Sequence, residues 1–530
     1  MEKRFNVTGI CIPEMHYMVD IESRLKEIRK LVDCGEYFTI NRARQYGKTT
    51  TLACLKKTLS DTYAVISISF EGMGRDAFSD ENIFSKYFLR LLYNSLKYSQ
   101  QTGISIEMTE ECRKRSEDNF SETPFWKLSD FISDLCVMAD KPLVLIIDEV
   151  DQGGNYEIFL NFLGLLRSKY LVRTEIPTFQ SVILAGVYDI KNLKLKIREE
   201  LEHQYNSPWN IAADFNVDMS FSPQDIGGML ADYERDARTG MDIQMISGLI
   251  YDYTSGYPYL VSRICKLTDE IVSQKPGSSL KTAWTREGIA DAAGILLRKP
   301  NTLFDDMIKH LAEYPELDIL LPNILFNGME YAFNAYNAAI NIGTMFGFLK
   351  ESDGKTIIAN RIFEMHLYQF YLSREILKEG KPYFPTSHNH QFIKNNRLDM
   401  DLVMDRFLEY YTDIYRDADQ KFLEKQGRKL FLLYLRPIIN GTGNFYVEAQ
   451  TRDETRTDIV VDYLGEQHII EVKLWHGSKY NEDGEHQLIR YLDLYHLDTG
   501  YLLTFNFNKK KQPGKREVHI QGKRIVEITV

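Results

Sequence analysis

Residues 37–60 read YFTINRARQYGKTTTLACLKKTLS, and this stretch constrains the chain more than any other. A short β-prone run, Tyr37 to Ile40, enters a polar loop, and Gly47-Lys48-Thr49 then opens a helical pattern through Leu52, Leu55 and Leu59. Strand, loop and helix in that order aim backbone N–H groups and the positive end of a helix at one point, which suits a phosphate. On that reading Lys48 reaches the β- and γ-phosphates of ATP or another nucleotide, and the Thr49 hydroxyl sits on Mg²⁺. Arg44, Gln45, Tyr46, Gly47 and Thr50 complete the binding set. Arg42 stands where a glycine usually opens such a loop, so the loop is not of the commonest form.

A second element supports the first. Residues 141–151, KPLVLIIDEVD, form a continuous apolar run that ends in carboxylates. A run of this length predicts a parallel strand buried on both faces. Ligands in open α/β sheets bind at the C-terminal ends of such strands. Asp148 therefore suits the Mg²⁺ shell, and Glu149 suits orienting or deprotonating an attacking water. A third strand is expected at Ser181–Gly186, followed by a polar turn containing Asp189. Arg198, in a Lys-rich stretch, is either a γ-phosphate contact or a solvated helix charge.

A chain of 530 residues is too long for one core, so two to four domains are expected. Its 44% hydrophobic content supplies several cores and argues against extensive disorder. The net charge of −11 excludes general coating of nucleic acid by the whole molecule, though a local basic face could still meet phosphates. Six cysteines without a CxxC pair suit reduced, mostly buried thiols better than disulfides or a zinc site. No apolar run approaches the roughly 18 residues of a membrane span. The charged, proline-containing N-terminus does not read as a signal peptide. The expectation is a soluble cytoplasmic protein with no membrane partner.

The last quarter carries a different chemistry. Residues 446–475, YVEAQTRDETRTDIVVDYLGEQHIIEVKLW, predict a β-meander with a turn at Leu464-Gly465-Glu466. Asp458 begins one strand, and Glu471 and Lys473 alternate on the next, so both face one side. Charges on a buried face are costly unless compensated. A divalent cation, Mg²⁺ or Mn²⁺, between Asp458 and Glu471 would offset their repulsion, while Lys473 stabilises charge developing on a phosphate. Gln487 and Tyr491, four apart, share a face of the following helix. Residues 509–524, KKKQPGKREVHIQGKR, form a basic stretch that either meets a phosphate backbone or solubilises a loop.

Between these regions, residues 213–275 suit a helical lid, and 276–380 suggest helices with a two-stranded wing turning at Ser352-Asp353-Gly354. The candidate recognition stretch, NILFNGMEYAFNAYNAAINIG, holds no Arg or Lys, which favours a regulatory lid over DNA reading. A polar linker spans 381–404, and its His388 and His390 lack companion ligands.

RARQYGKTT, LVLIIDEVD, SVILAG, SPWNIA and TSGYPYLVSRI together resemble the AAA-ATPase-like family related to signal-transduction ATPases, over roughly residues 5–375. That resemblance implies an ATPase core at 1–212 and places Pro258, in Gly256-Tyr257-Pro258, near the nucleotide base. The D-x₁₂-E-x-K spacing resembles the PD-(D/E)XK nuclease superfamily over 405–530, with Thr457 in place of its proline. This second resemblance implies metal ligands at Asp458 and Glu471, a catalytic Lys473, and supporting roles for Glu424 and Gln487. The expected fold is α/β throughout: a parallel-sheet P-loop NTPase with helical lid and winged-helix domain, then a mixed α/β nuclease-like domain. The resemblances imply a nucleotide-regulated nuclease, acting on DNA more than RNA, homo-oligomeric, in defence against mobile DNA or in repair. The alternative is a regulatory switch protein whose nuclease fold binds a partner without cutting.

Overall fold

The computed structural model describes residues 3–98, 103–118, 120–154, 156–187, 208–327, 331–379, 392–394, 397–414, 424–439, 443–450, 456–464, 466–475, 478–508 and 513–530. Asp189, Arg198, His388, His390 and Lys509 to Lys511 lie outside them. The chain divides into two compact units, Met1–Ala292 with Asn341–Leu349, and Ala293–Ile340 with Lys350–Val530.

The first unit opens with α1 (Glu22–Asp33), β1 (Phe38–Asn41), α2 (Lys48–Leu59), β2 (Ala64–Ser69) and α3 (Glu81–Lys97). There follow α4 (Ile106–Glu117), α5 (Phe125–Val137), β3 (Leu143–Asp148), α6 (Glu157–Leu171) and β4 (Ser181–Gly186). The strands form one parallel sheet in the order β1-β4-β3-β2. Every residue of β3 and β4 is buried, because helices cover both faces. Val144 and Ile146 meet α1 and α2 through Ile28, Val32, Leu52 and Leu55. Leu145 and Ile147 belong to the opposite core, with Phe84, Phe88, Phe131, Phe159 and Phe162. The unbroken apolar run of β3 thus serves two cores at once, as a central parallel strand must.

Beyond the sheet come α7 (Pro223–Ala237), α8 (Ile243–Thr254), α9 (Pro258–Leu267) and α10 (Arg286–Arg298). Ser222 and Asp225 form a reciprocal capping box at the start of α7, and Pro258 opens α9, where its missing N–H is not needed.

The second unit contains α11 (Thr302–Glu313), α12 (Pro315–Asn327) and β5 (Tyr331–Ala332). Next along the chain are α13 (Ala338–Met345), most of which belongs to the first unit, then β6 (Leu349–Ser352), β7 (Lys355–Ile358) and α14 (Arg361–Glu379). The three strands pair in the order β5-β7-β6. The turn expected at Ser352-Asp353-Gly354 joins β6 to β7, with Ser352 ending the strand and Asp353 and Gly354 both left-handed at φ 50° and 77°, and the expected two-stranded wing has β5 as a third strand.

The C-terminal part of this unit holds the ribbon β8 (Ile393–Lys394) and β9 (Arg397–Leu398), then α15 (Met400–Ile414) and α16 (Glu424–Ile439). After them run β10 (Gly443–Gln450), β11 (Arg456–Tyr463), β12 (Glu466–Leu474), α17 (Ser478–Leu494), β13 (Thr499–Phe505), β14 (Gly514–Ile520) and β15 (Lys523–Thr529). Six strands pair in the order β10-β11-β12-β13-β15-β14. The first three form the expected antiparallel meander, with Tyr463 opposite Glu466 around the left-handed Leu464. The links from β12 to β13 and from β13 to β15 are parallel. Helices α15 and α16 bury one face, on Ile470, Val472, Leu503 and Ile528, and α17 buries the other, on Val460, Ile469, Leu502 and Ile525.

All six cysteines are free, but only Cys112 and Cys265 are buried, and Cys34 is exposed, so the expectation of mostly buried thiols is corrected. No described helix is long and apolar enough to cross a membrane.

Candidate functional site

The phosphate loop begins where β1 ends. Arg42, at the position of the usual first glycine, turns its guanidinium away from the loop, donating to the Asn41 and Val217 carbonyls at 2.8 and 2.7 Å. The loop therefore tolerates a long side chain at this point. Gln45 and Gly47 are both left-handed, at φ 57° and 81°, and Gly47 caps α2. Such successive turns orient backbone N–H groups into an anion-binding concavity. Arg44 and Gln45 are exposed, while Lys48 is buried. Its Nζ donates to the carbonyls of Arg42 and Ala43 at 2.9 and 3.1 Å. Burial holds the Lys48 ammonium below the ordinary lysine range, opposed by Asp151, Glu149 and Asp148.

The end of β3 meets this loop as expected. Thr49 Oγ1 and Asp148 Oδ2 are 2.9 Å apart, so the two proposed Mg²⁺ ligands already adjoin. A hydroxyl beside a carboxylate at a helix start is the oxygen donor set that Mg²⁺ takes. Glu149 is left-handed at φ 54°, and burial raises its carboxyl above the usual range. Asp151 is a residue the sequence reading passed over. Its Oδ2 accepts the Val187 amide at 2.6 Å, and a Cβ on Gly186 would meet its Oδ1 at 2.7 Å. The DEVD ending of the apolar run was the available signal, since its third carboxylate sits one helical turn beyond Asp148.

Two further segments close on the loop. Tyr257 Oη donates to the Arg44 carbonyl, and its ring stands edge-on to Tyr46 at 4.7 Å. Pro258 lies at Gly47 itself, 3.9 Å from where a Cβ would stand, so it is placed at the phosphate loop. Gly347, left-handed at φ 75°, comes so near that a Cβ there would be 2.9 Å from Ala43 Cβ and 3.6 Å from Tyr257. Thr50 faces elsewhere: its Oγ1 accepts the Cys11 amide at 3.1 Å, tying the N-terminal segment to α2.

In the C-terminal sheet, Glu471 is fully buried and Lys473 Nζ lies 2.9 Å from its Oε1, which places both on α17's face of β12. Ile459 pairs with Ile470, and one step along this antiparallel register Asp458 stands level with Glu471. Glu424 is the first residue of α16. The side chains of Asp458 and Glu424 lie outside what is described, and the sheet brings Asp458 to the site by its backbone alone. Gln487 Nε2 donates to Tyr491 Oη at 2.9 Å on α17. Gly484, one turn before Gln487, allows this helix to approach closely, and a Cβ there would lie 3.4 Å from Lys473 Cγ. Among the described residues, no group of three or more His, Cys, Asp or Glu is assembled for a metal. The acidic positions that could hold one are Asp458 and Glu471, level with each other in the register.

The basic stretch 509–524 is no open patch where it is described. Lys515 pairs with Asp405 at 2.8 Å, Arg516 with Glu485 and Glu527 at 3.2 and 2.7 Å, and Lys523 with Asp493 and Asp498 at 3.4 and 3.3 Å. Arg524 binds Asp401 and Glu517 at 3.0 and 2.7 Å. These cations sit on paired strands and meet carboxylates of their own domain.

No curated protein matches the chain. Among solved structures, the Walker-type ATPase PABY2304 of Pyrococcus abyssi aligns at 13% identity and TM-score 0.47, over 68% of this chain and 99% of that one. The Aeropyrum pernix ORC2 protein, in its ADPNP-ADP complexes, aligns at 15% identity and TM-score 0.37, over 68% and 94%. The RuvB Holliday junction branch migration motor of Thermotoga maritima aligns at 12% and 0.31, over 69% and 96%. The PD-(D/E)XK nuclease superfamily model matches residues 441–517, which contain Asp458, Glu471, Lys473 and Gln487. The AAA-like domain model matches residues 15–293, more than half of the 530 residues and the whole phosphate-loop site from β1 to Pro258, and the chain belongs to that family.

Proposed function

We propose that this chain is a nucleotide-controlled, divalent-metal-dependent nuclease that hydrolyses phosphodiester bonds of DNA or RNA. The observation that carries the reading is the Glu471–Lys473 pair, 2.9 Å apart, with Asp458 level in the register. A cation held by Asp458 and Glu471 would supply Lewis acidity and a water of lowered pKa. Lys473 holds a positive charge where a phosphate would gain negative charge, and burial strengthens that interaction. Gln487 and Glu424 support the same site from the flanking helices. At the other site, Lys48 and the loop amides bind the nucleotide phosphates, Thr49 and Asp148 hold Mg²⁺, and Glu149 receives the proton of the attacking water. Residues 276–380 act as a winged-helix-like regulatory lid. The protein works in the cytoplasm as a homo-oligomer, in defence against mobile DNA or in repair.

The test is cleavage of supercoiled, linear and single-stranded substrates with Mg²⁺ or Mn²⁺, with and without ATP, comparing wild type with Lys473→Ala. Cutting by wild type alone is expected, and equal cutting by both would overturn the assignment of the site.

One observation favours a second reading, a nucleotide-driven switch whose C-terminal domain binds without cutting. Gly347 packs against Ala43 of the phosphate loop and against Tyr257, so nucleotide in that loop would bear on residues 341–349. Nucleic-acid binding retained in Glu471→Ala, with no cleavage by wild type in any metal, would select it.

A further inference from the structure

The hairpin of β14 and β15 adds a charged triad that none of the site residues above includes. Glu485, on α17, and Glu527, on β15, are each only 7% exposed. Arg516, on β14, joins them: its Nη2 lies 3.2 Å from Glu485 Oε1 and 2.7 Å from Glu527 Oε2, and its Nε donates to Glu527 Oε2 at 2.8 Å. Two buried carboxylates that share one guanidinium nitrogen would repel each other without it, and burial makes an uncompensated pair expensive.

The triad lies in line with the nuclease-type site. Arg516 pairs with Glu527, Glu527 with Leu502, and Leu502 with Glu471, so the four residues form one row across β14, β15, β13 and β12. Residues in one row of a sheet share a face. That face is the one α17 covers. Glu485 follows Gly484, whose position lies against Lys473 and Leu502, each 3.4 Å from a Cβ built there. The backbone of α17 at Gly484 is therefore a wall for the Lys473 stem, and Glu485 is the next residue along that wall.

We propose that Arg516 is a positioning residue for Lys473: by clamping Glu485 to Glu527 it fixes α17 against β12 and so holds the Lys473 ammonium beside Glu471. The inference rests on the nuclease reading for its consequence but not for its geometry. Without Arg516, Glu485 and Glu527 separate, α17 shifts at Gly484, and Lys473 loses its fixed distance to Glu471. Displacements of about 1 Å in a catalytic group cost on the order of a hundredfold in rate.

The experiment compares full-length wild type, Arg516→Ala, Arg516→Lys and Asp405→Asn. The last breaks the neighbouring ion pair of Lys515, which reaches α15 on the other face of the sheet. Arg516→Ala is expected to lower kcat of metal-dependent cleavage roughly tenfold to a hundredfold with little change in KM. Arg516→Lys should recover part of the rate, and Asp405→Asn should behave as wild type. A lower rate that comes with a raised KM and no recovery in Arg516→Lys would overturn the proposal, since general loosening of the fold gives that result. Hydrogen exchange is measured on the same proteins. Arg516→Ala should raise exchange in residues 484–492 and leave β12 unchanged. If wild type cuts nothing, the nuclease reading fails on its own, and unchanged exchange over 484–492 would still refute the clamp.

Discussion

Thr49 Oγ1 stands 2.9 Å from Asp148 Oδ2, a contact between the first turn of α2 and the last residue of β3. A hydroxyl and a carboxylate held this close need little rearrangement to share a cation. Asp148→Asn keeps an oxygen that can accept the threonine hydrogen bond but removes the charge Mg²⁺ requires. The variant should unfold at nearly the wild-type temperature and lose at least about a hundredfold in Mg²⁺-dependent nucleotide hydrolysis. Phosphate release titrated with Mg²⁺ decides it, and wild-type turnover in Asp148→Asn would remove this residue from the metal shell.

Glu149 and Lys48 should separate binding from hydrolysis. Burial raises the Glu149 carboxyl, which strengthens it as a base, and Lys48 is buried at the loop carbonyls. Glu149→Gln should bind ATP with near wild-type affinity and hydrolyse it about 10²–10⁴-fold more slowly, the usual contribution of a general base. Lys48→Ala should lose the affinity itself. Calorimetric titration with ATP in both variants gives the comparison, and a matching loss of affinity in the two would place Glu149 in binding.

Gly256 and Gly228 should respond to alanine with opposite signs. Gly256 is left-handed at φ 72°, and a Cβ there would lie 2.0 Å from the Phe221 carbonyl oxygen. Gly228 is exposed inside α7, with nothing within 4 Å of its Cβ position. Gly256→Ala should destabilise by about 2 kcal/mol or more, through both strain and collision. Gly228→Ala should stabilise by roughly 0.5–1 kcal/mol, because alanine restricts the unfolded chain and favours helix. Denaturant midpoints of the two variants test the pair: a stabilised Gly256→Ala would contradict the collision at Gly256, and a destabilised Gly228→Ala would contradict the open space at Gly228.

The features that could be read in advance are those with a local signature. The run LVLIID is unbroken because β3 is covered on both faces, and the Asp353-Gly354 turn is visible because two left-handed residues in sequence have few solutions. Glu471 and Lys473 were legible from strand alternation alone, and their ion pair follows from it. The approach of Gly347 to Ala43 and the joining of Arg516 to Glu485 leave no local trace, since each depends on elements brought together by tertiary packing. The basic stretch shows the same limit. Its charge was countable, but the partners Asp405, Glu485, Asp401 and Glu527 come from other parts of the chain. Asp151 differs, because it lay in plain view at the end of the strand and needed only a third carboxylate to be weighed.

His366 should make the second unit sensitive to acid. It stacks on Phe304 with ring centroids 3.9 Å apart, and neither ring nitrogen has a hydrogen-bond partner among the described residues. Burial pushes its pKa down from 6.5 to about 4, against a smaller upward pull from Asp305. Between those values the unfolded chain binds the proton and the folded chain does not, so stability falls as pH drops from 6.5 toward 4 and is level above 6.5. At pH 4.5 the loss from this residue is roughly 2–3 kcal/mol, at about 1.4 kcal/mol for each unit of pKa difference. His366→Leu has no proton to take up, so its urea midpoint should change less between pH 7.5 and 4.5 than that of wild type. Parallel losses in the two proteins over that range would mean that His366 is protonated in the folded state and that its ring is not shielded as the stacking implies.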